Sequence, residues 1–383
     1  MIYLDNNATT ATDLRVIEVI ADVLRGGPVN ASSQHRVGQA AKNRLDDALE
    51  QIGRLLGSDL TEPGGPRLIA TSGGTEANHL AINGIGDQCG SIVVSSVEHP
   101  SVLESAKACQ TNGRPVRYIS VTDNGIVTPA SLQQSLNQCA KPPALVSIMS
   151  ANNETGVIQP IAELADVCKT HHVPLHVDAS QSIGKVEIET SAWGISALTL
   201  SAHKFHGPVG IGGLWIDRGV ALRPAMHGGE QQLAARPGTE PVALIIGMAK
   251  ALELARAEIE TATKTTTLLR SRLETSLTTQ YPEISIHGRS VSRLPGTSCV
   301  SFGSVDRQSM LMALDLAGIA CSSGSACSSG SSPPSHVLSA MNCSDQQITA
   351  AIRFGVSKFT TESELDDAIT RIHQCYNKLR PST

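Results

Sequence analysis

Between about residues 65 and 216, short β-rich segments alternate with helical patterns, and this order constrains the chain more than any other feature. It implies a mainly parallel sheet covered by helices. Seven strands are predicted: RLIAT (67–71), SIVVSS (91–96), PVRYIS (115–120), ALVSIMS (144–150), PLHVDA (174–179), ALTLSA (197–202) and GIGGLWI (210–216). Several are nearly continuous apolar runs, as expected of strands buried on both faces.

The flanks read differently. Leu14, Ile17, Ile20, Ala21 and Leu24 recur at helical spacing until Gly26, Gly27 and Pro28 stop that helix, and an amphipathic stretch follows over about 34–56. Residues 241–280, rich in Ala, Leu, Glu and Lys, read as one long connecting helix. EISIHG, TSCVSFG and AIRFGVS then read as strands among helices, the last helix opening with a capping box from Thr361 to Glu364. The fold class expected is α/β: a large domain with a mainly parallel seven-stranded sheet, plus a smaller α+β domain. The division expected is an amino-terminal segment over 1–14 packing with the small domain, the large domain over 15–260 and the small domain over 261–383.

A length of 383 residues gives room for two domains that each bury a core. The formal charge is −5, from 35 acidic and 30 basic side chains of mixed placement, so no basic stripe offers itself to nucleic acid. No run of about 20 apolar residues suggests a membrane span, and the start MIYLDNNATT lacks the pattern of a secretory signal, so a cytoplasmic protein is expected. Nine cysteines are scattered without a C-x-x-C spacing, which supports neither a disulfide framework nor a metal site. Each is by default a small buried hydrophobe. The segment CSSGSACSSGSSPP, about 321–334, has the composition of a linker, yet it lies inside a domain and reads as a mobile functional loop.

Three motifs carry chemistry. In TSGGTEANHLAI (71–82) a strand ends in a Gly-Gly turn that opens a helix with Thr75 in its first turn; this is either a structural turn or a cradle for a phosphate. It lacks the lysine of a P-loop and the glycines of a dinucleotide site. In HVDASQSIGK a buried strand delivers Asp178, with Gln181 three residues on; the carboxylate is either a helix cap or a ligand group at a strand end. In ALTLSAHKFHGPVG, Ser201, His203 and Lys204 leave an apolar strand, and a lysine partly withdrawn from water becomes nucleophilic enough for a Schiff base. Together, a phosphate cradle, an acid for a pyridine nitrogen and a Schiff-base lysine are the parts that hold pyridoxal 5′-phosphate.

With these motifs in place, the chain resembles the cysteine desulfurases of the class V aminotransferase group, which have the fold type I architecture. The matching blocks run in order: YLDNNATT, TSGGTEANHLAI, SSVEHPSVLE, SIMSANNETGVIQPI, HVDASQSIGK, SAHKFHGPVGIGGLWI, RPGTEPV, SSGSACSS and IRFGVSKFTTESE. The resemblance implies that Lys204 holds the cofactor, Asp178 pairs with its ring nitrogen and Gln181 bonds its ring oxygen. It implies that His99 stacks on the ring and moves protons, that Asn153 flanks it, and that Gly74, Thr75, Ser201 and His203 hold the phosphate. Thr239 would reach the phosphate of a neighbouring subunit in a homodimer, and Arg353, with Asn30 nearby, would clamp the substrate carboxylate. Cys327 would be the thiolate that takes sulfur from L-cysteine as a persulfide, leaving L-alanine, and would pass it to an acceptor such as an iron–sulfur scaffold protein. Cys321, at the end of a predicted strand, is the competing thiol. Selenocysteine lyases and class V aminotransferases are the alternatives within the same fold. Ala31 stands where the family often has proline and Gly74 where alanine is common.

Overall fold

A computed structural model of the chain describes residues 1–324 and 333–380, so Cys327 and most of the loop predicted over 321–334 lie outside the described residues. The first half runs β1 (Ile2–Tyr3), α1 (Leu14–Arg25), α2 (Arg36–Leu55), β2 (Arg67–Thr71), α3 (Gly74–Gly84), β3 (Ile92–Ser95), α4 (Pro100–Thr111), β4 (Val116–Ile119), α5 (Pro129–Asn137), β5 (Leu145–Met149), α6 (Ile161–Thr170) and β6 (Leu175–Asp178). Then come α7 (Thr190–Trp193), β7 (Ala197–Ser201), β8 (Gly212–Ile216), α8 (Val242–Ala257), α9 (Ile259–Gln280), β9 (Ile284–Ile286), β10 (Thr297–Phe302), α10 (Arg307–Leu316), β11 (Ile319–Ala320), α11 (His336–Ala340), α12 (Asp345–Thr349), β12 (Ala351–Gly355) and α13 (Glu362–Leu379).

All seven predicted strands form one sheet, in the order β2-β8-β7-β6-β5-β3-β4. Only β8 is reversed, antiparallel to both β2 and β7. Alternate side chains feed two cores, as the period of a strand requires. In β3, Val93 faces one layer while Ile92 and Val94 face the other, and in β5 Val146 and Ile148 oppose Leu145. Burial on both faces is what makes these strands read as apolar runs. β4 and β5 lie on opposite sides of β3, so connections leave in opposite directions and open a crevice at the strands' carboxyl ends.

The smaller sheet has the antiparallel order β12-β10-β9 and packs against α9, α10 and α13. The chain start joins it: β1 pairs in parallel with β11, Leu4 N–H donates to Ala320 O, and Gly355 N–H donates to Leu4 O. Ile2 and Leu4 are accordingly buried in one core with Leu273, Phe302 and Ile372. The capping box at Thr361 and Glu364 is present as expected. The helix expected over 241–280 is instead two, broken at Glu258 (φ −103°, ψ 4°). There the Glu258 carboxylate meets Arg15 at 2.7 Å and Lys358 at 2.6 Å, tying the break to α1 and to the residues that follow β12.

Glu274 of α9 is buried and accepts two bonds from the buried side chain of Arg293, at 2.8 and 3.0 Å, and one from Ser298 at 2.8 Å. Removing the carboxylate strands a guanidinium away from water, so Glu274→Ala is expected to cost about 3–5 kcal/mol. Chemical denaturation of the two proteins checks this; a loss below about 1 kcal/mol would show that water reaches the pair.

Candidate active site

Carboxyl ends of β2, β3, β5, β6 and β7 all open on one side of the large sheet, and each passes directly into an expected site residue. Gly74, Thr75, His99, Asn153, Asp178, Gln181, Ser201, His203 and Lys204 line a single cavity of about 250 Å³. These residues span 131 positions in sequence, from 74 to 204, and the sheet alone brings them together.

The Gly-Gly turn opens α3 without a side-chain cap, leaving backbone N–H groups at the helix start for an anion. A Cβ at Gly74 would approach Ser180 Oγ to 3.0 Å and Ser201 Cβ to 3.4 Å, a tight but passable fit. At Gly212 the same Cβ would fall 2.8 Å from the backbone of Gly73, so β8 can pass under the turn only as glycine.

Asp178 closes β6 with both oxygens engaged. Oδ1 accepts from Ser180 N–H at 2.9 Å and Oδ2 from Asn78 Nδ2 at 2.7 Å. The same Asn78 amide donates to Ser101 Oγ at 2.8 Å, and Ser101 N–H donates to His99 Nδ1 at 3.1 Å. Nδ1 is therefore an acceptor, and the ring proton of a neutral His99 sits on Nε2. Burial, the largest influence, holds His99 below its usual pKa and thus neutral; the Lys204 charge acts the same way and Asp178 opposes it.

β7 ends at Ser201, and a tight turn over Ala202–Lys204 delivers the lysine. Its Nζ donates to the carbonyls of Asn7 (2.6 Å) and Ala8 (2.8 Å), so the DNNATT segment forms the site's far wall. Thr10 fastens that wall to the turn through His203 O and His206 N–H. Burial brings Lys204 down to about 8, helped by the Arg353 charge, so a useful fraction is a neutral amine near pH 7. His203, brought to about 4 mainly by burial, is neutral and shares a hydrogen bond with Thr9.

Arg353, in β12, stands at the edge of this cavity. Its Nη1 donates to Asn153 O at 3.0 Å, while Nη2 meets Asp5 at 2.8 Å and Ser322 Oγ at 2.7 Å. Arg353 Nε and Asn153 Oδ1 are buried without a partner, as is Asn78 Oδ1. Such groups cost about 1–3 kcal/mol each unless something polar meets them.

Arg353 reaches the cavity wall only through Asn153, and two further expected residues stand apart from it. Asn30 is exposed and caps its own turn at Ser32 N–H, and Thr239 is exposed. Cys327 lies outside the described residues, but the chain on either side is fixed beside the site: Ser322 at Arg353, and Ser335 donating to Glu154 Oε2 at 2.6 Å. Cys321 is a poor thiolate, since burial pushes its thiol up to about 12. Burial of the cysteines is uneven: Cys109, Cys168, Cys299 and Cys375 are buried, whereas Cys89 is exposed, because it sits in the turn after α3 rather than in an apolar run. No cluster of metal-ligating side chains occurs among the described residues. No helix there is long and apolar enough to cross a membrane.

No role is expected from the sequence for Asn7, Asn78 or Glu98. Glu98, beside His99, is fully buried; Oε1 accepts from Ser95 Oγ and from Met149 N–H, and Oε2 has no partner. Burial pushes its carboxyl up to about 8, so it is folded in as the neutral acid. Because that pKa lies above the unfolded value near 4.5, its favourable contribution is complete below pH 4.5 and is lost as pH rises toward 8. Glu98→Gln is expected to match the wild type near pH 5 and to exceed its stability by a few kcal/mol near pH 8, at about 1.4 kcal/mol per pH unit. Parallel stability curves of the two proteins across that range would contradict this.

The sequence matches the family Aminotransferase class-V over residues 2–367. A cysteine desulfurase of Trichormus azollae is 40% identical over 99% of this chain and 94% of its own length. A cysteine desulfurase IscS of Dictyoglomus turgidum is 37% identical over 99% of this chain and 95% of its own. Among solved structures, a NifS-like protein from Rickettsia africae superposes with a TM-score of 0.90 at 33% identity, covering 98% of this chain and 99% of that one. The chain therefore belongs to the class V aminotransferase family, among the cysteine desulfurases.

Proposed function

We propose that this protein is a pyridoxal-phosphate-dependent cysteine desulfurase that converts L-cysteine to L-alanine and delivers the sulfur as a persulfide on Cys327. The observation that carries this reading is Lys204, held by two carbonyls in a cavity that also presents Asp178 and the uncapped start of α3. The residues fit the cofactor: the cavity holds the unpartnered Asn78 Oδ1 and Asn153 Oδ1, an acceptor-only carboxylate for a protonated ring nitrogen, and an anion cradle at Gly74 with Thr75, Ser201 and His203. When bound, pyridoxal phosphate supplies an electron sink for a carbanion at the substrate's Cα.

Lys204 would hold the cofactor, and its Nζ would take up and return the Cα proton. Its lowered pKa suits both tasks. Asp178, kept in place by Asn78 and Ser180, would hold the proton at the ring nitrogen. His99 would present its ring face for stacking and its Nε2–H as a proton donor within the site. Arg353 offers Nε to a substrate carboxylate in a setting already ordered by Asp5, Ser322 and Asn153. The Cys327 thiolate attacks substrate sulfur: an S–S bond forms, the Cβ–S bond breaks, and its electron pair remains on Cβ to be protonated. A high pKa at Cys321 supports Cys327 as the nucleophile.

Residues 15–260 and 261–383 are read as large and small domains with 1–14 packed on the latter, which the shared core of Ile2 and Leu4 supports. Exposed Thr239 suits a homodimer in which it reaches a neighbour's phosphate. The persulfide's destination is a sulfur-acceptor protein such as an iron–sulfur scaffold, and the location proposed is the cytoplasm. Incubation with L-cysteine, with L-selenocysteine and with L-alanine plus a 2-oxo acid tests the activity. Alanine formed from cysteine is expected to match persulfide formed; preference for selenocysteine, or amino transfer without alanine from cysteine, would replace the reading with one of its relatives.

A further inference from the structure

Behind the cavity, Lys185 sits one helical-type turn after Gln181 and donates from Nζ to Gln181 Oε1 at 3.2 Å. Asn7 Nδ2 donates to the same oxygen at 3.2 Å, and Gln181 Nε2 donates to the Asn7 carbonyl at 3.0 Å. An ammonium can only donate and a backbone carbonyl can only accept. Both partners thus fix the same orientation of the Gln181 amide, filling its oxygen and leaving one N–H for the cavity that Gln181 lines. Whatever meets Gln181 must offer an acceptor.

Charge points the same way. Lys185 lines a narrow second cavity of about 50 Å³ that meets the first at Lys204. Lys358, on the same cavity, pairs with Asp13 and Glu258, whereas Lys185 has no ion-pair partner among the described residues. The charged and titratable groups around it are Lys204, Arg353, Lys358, His203 and His206, with Asp178, Asp5, Asp13 and Glu258 as the acids. Burial first, and then the cations Lys204 and Arg353, bring Lys185 down to about 7, so about half of it is charged near pH 7 until an anion arrives in the adjoining cavity. A part-buried cation without a counter-charge is held below its usual pKa, and an anion in the adjoining cavity supplies that counter-charge.

We propose that Lys185 is a positioning residue of the cofactor site: it locks Gln181 as an N–H donor and places an uncompensated positive charge behind it, matched to an anionic ring oxygen. This rests on the pyridoxal-phosphate reading above and adds the residue that sets the polarity of that contact. Lys185 acts through Gln181 and touches neither substrate nor cofactor.

The test uses full-length protein loaded with pyridoxal phosphate, comparing wild type with Lys185→Met, Lys185→Gln and Lys185→Arg. Two quantities are read: the pH midpoint of the visible band of lysine-bound cofactor, and cofactor retention on dialysis. Loss of the cation in the Met and Gln variants is expected to raise the midpoint by about one pH unit and to weaken retention about tenfold, with Arg restoring both. The Gln variant keeps a donor toward Gln181 without the charge and guards against a Met variant that fails to fold. A midpoint and retention equal to wild type in a folded Met or Gln variant overturns the proposal. Failure of wild type itself to bind pyridoxal phosphate is a separate outcome, and overturns the functional reading on which the proposal rests.

Discussion

Lys204→Ala is expected to lose the yellow colour of lysine-bound cofactor and to lower alanine formation from L-cysteine by at least about 10³-fold. Two functions leave with the amine. The covalent hold on the cofactor would disappear, since among the described residues no other lysine lines this cavity. The proton donor and acceptor at substrate Cα goes too, and acid–base groups of this kind are worth about 10²–10⁴-fold by themselves. The Ala8 carbonyl that now accepts from Nζ would lose that donor, while the Asn7 carbonyl would keep Gln181 Nε2. A spectrum and an alanine assay check both effects, and persistence of the visible band in the variant would assign the attachment to another residue.

The second large effect is at Cys327. Cys327→Ala is expected to keep the yellow cofactor, because Asp178, Gln181 and Lys204 are untouched, while losing persulfide and turnover to the limit of detection. Only a thiolate can accept the substrate's sulfur with the electron balance described. Cys321 lies within six positions in sequence but its thiol stays protonated, so it does not substitute. Unchanged alanine production by the variant would move the nucleophile elsewhere.

Much of this architecture is legible in the residues. Strands buried on both faces write themselves as apolar runs, which makes six of the seven legible and puts Gly74, Asp178 and Lys204 at strand ends facing one crevice; β4, at the sheet edge with Arg117 and Tyr118 exposed, is not such a run. Direction is not written in such a run: GGLWI is equally apolar whichever way it lies, and its reversal in β8 emerges only from pairing with β2 and β7. The break at Glu258 is equally silent, because the cations its carboxylate meets there, Arg15 and Lys358, come from far along the chain.

Within the site, the unread residues are those whose partners come from far along the chain. Asn78 reaches Asp178 across 100 positions and Asn7 reaches Gln181 across 174, distances over which no spacing rule operates. A local signal did exist for Asn78, a polar side chain sharing the buried face of α3 with Ala77 and Ala81. Lys185 likewise stood four residues after Gln181 in HVDASQSIGK, but a lysine there reads as a surface charge until its surroundings are known.

The most direct measurement gives the loaded protein a single equivalent of L-cysteine without acceptor, then maps bound sulfur by peptide mass spectrometry while counting released alanine. The expected result is one extra sulfur on the peptide containing Cys327 and one alanine per site. Alanine released with sulfur on Cys321 or on no cysteine, or no alanine at all, would contradict the assignment of this chain's chemistry.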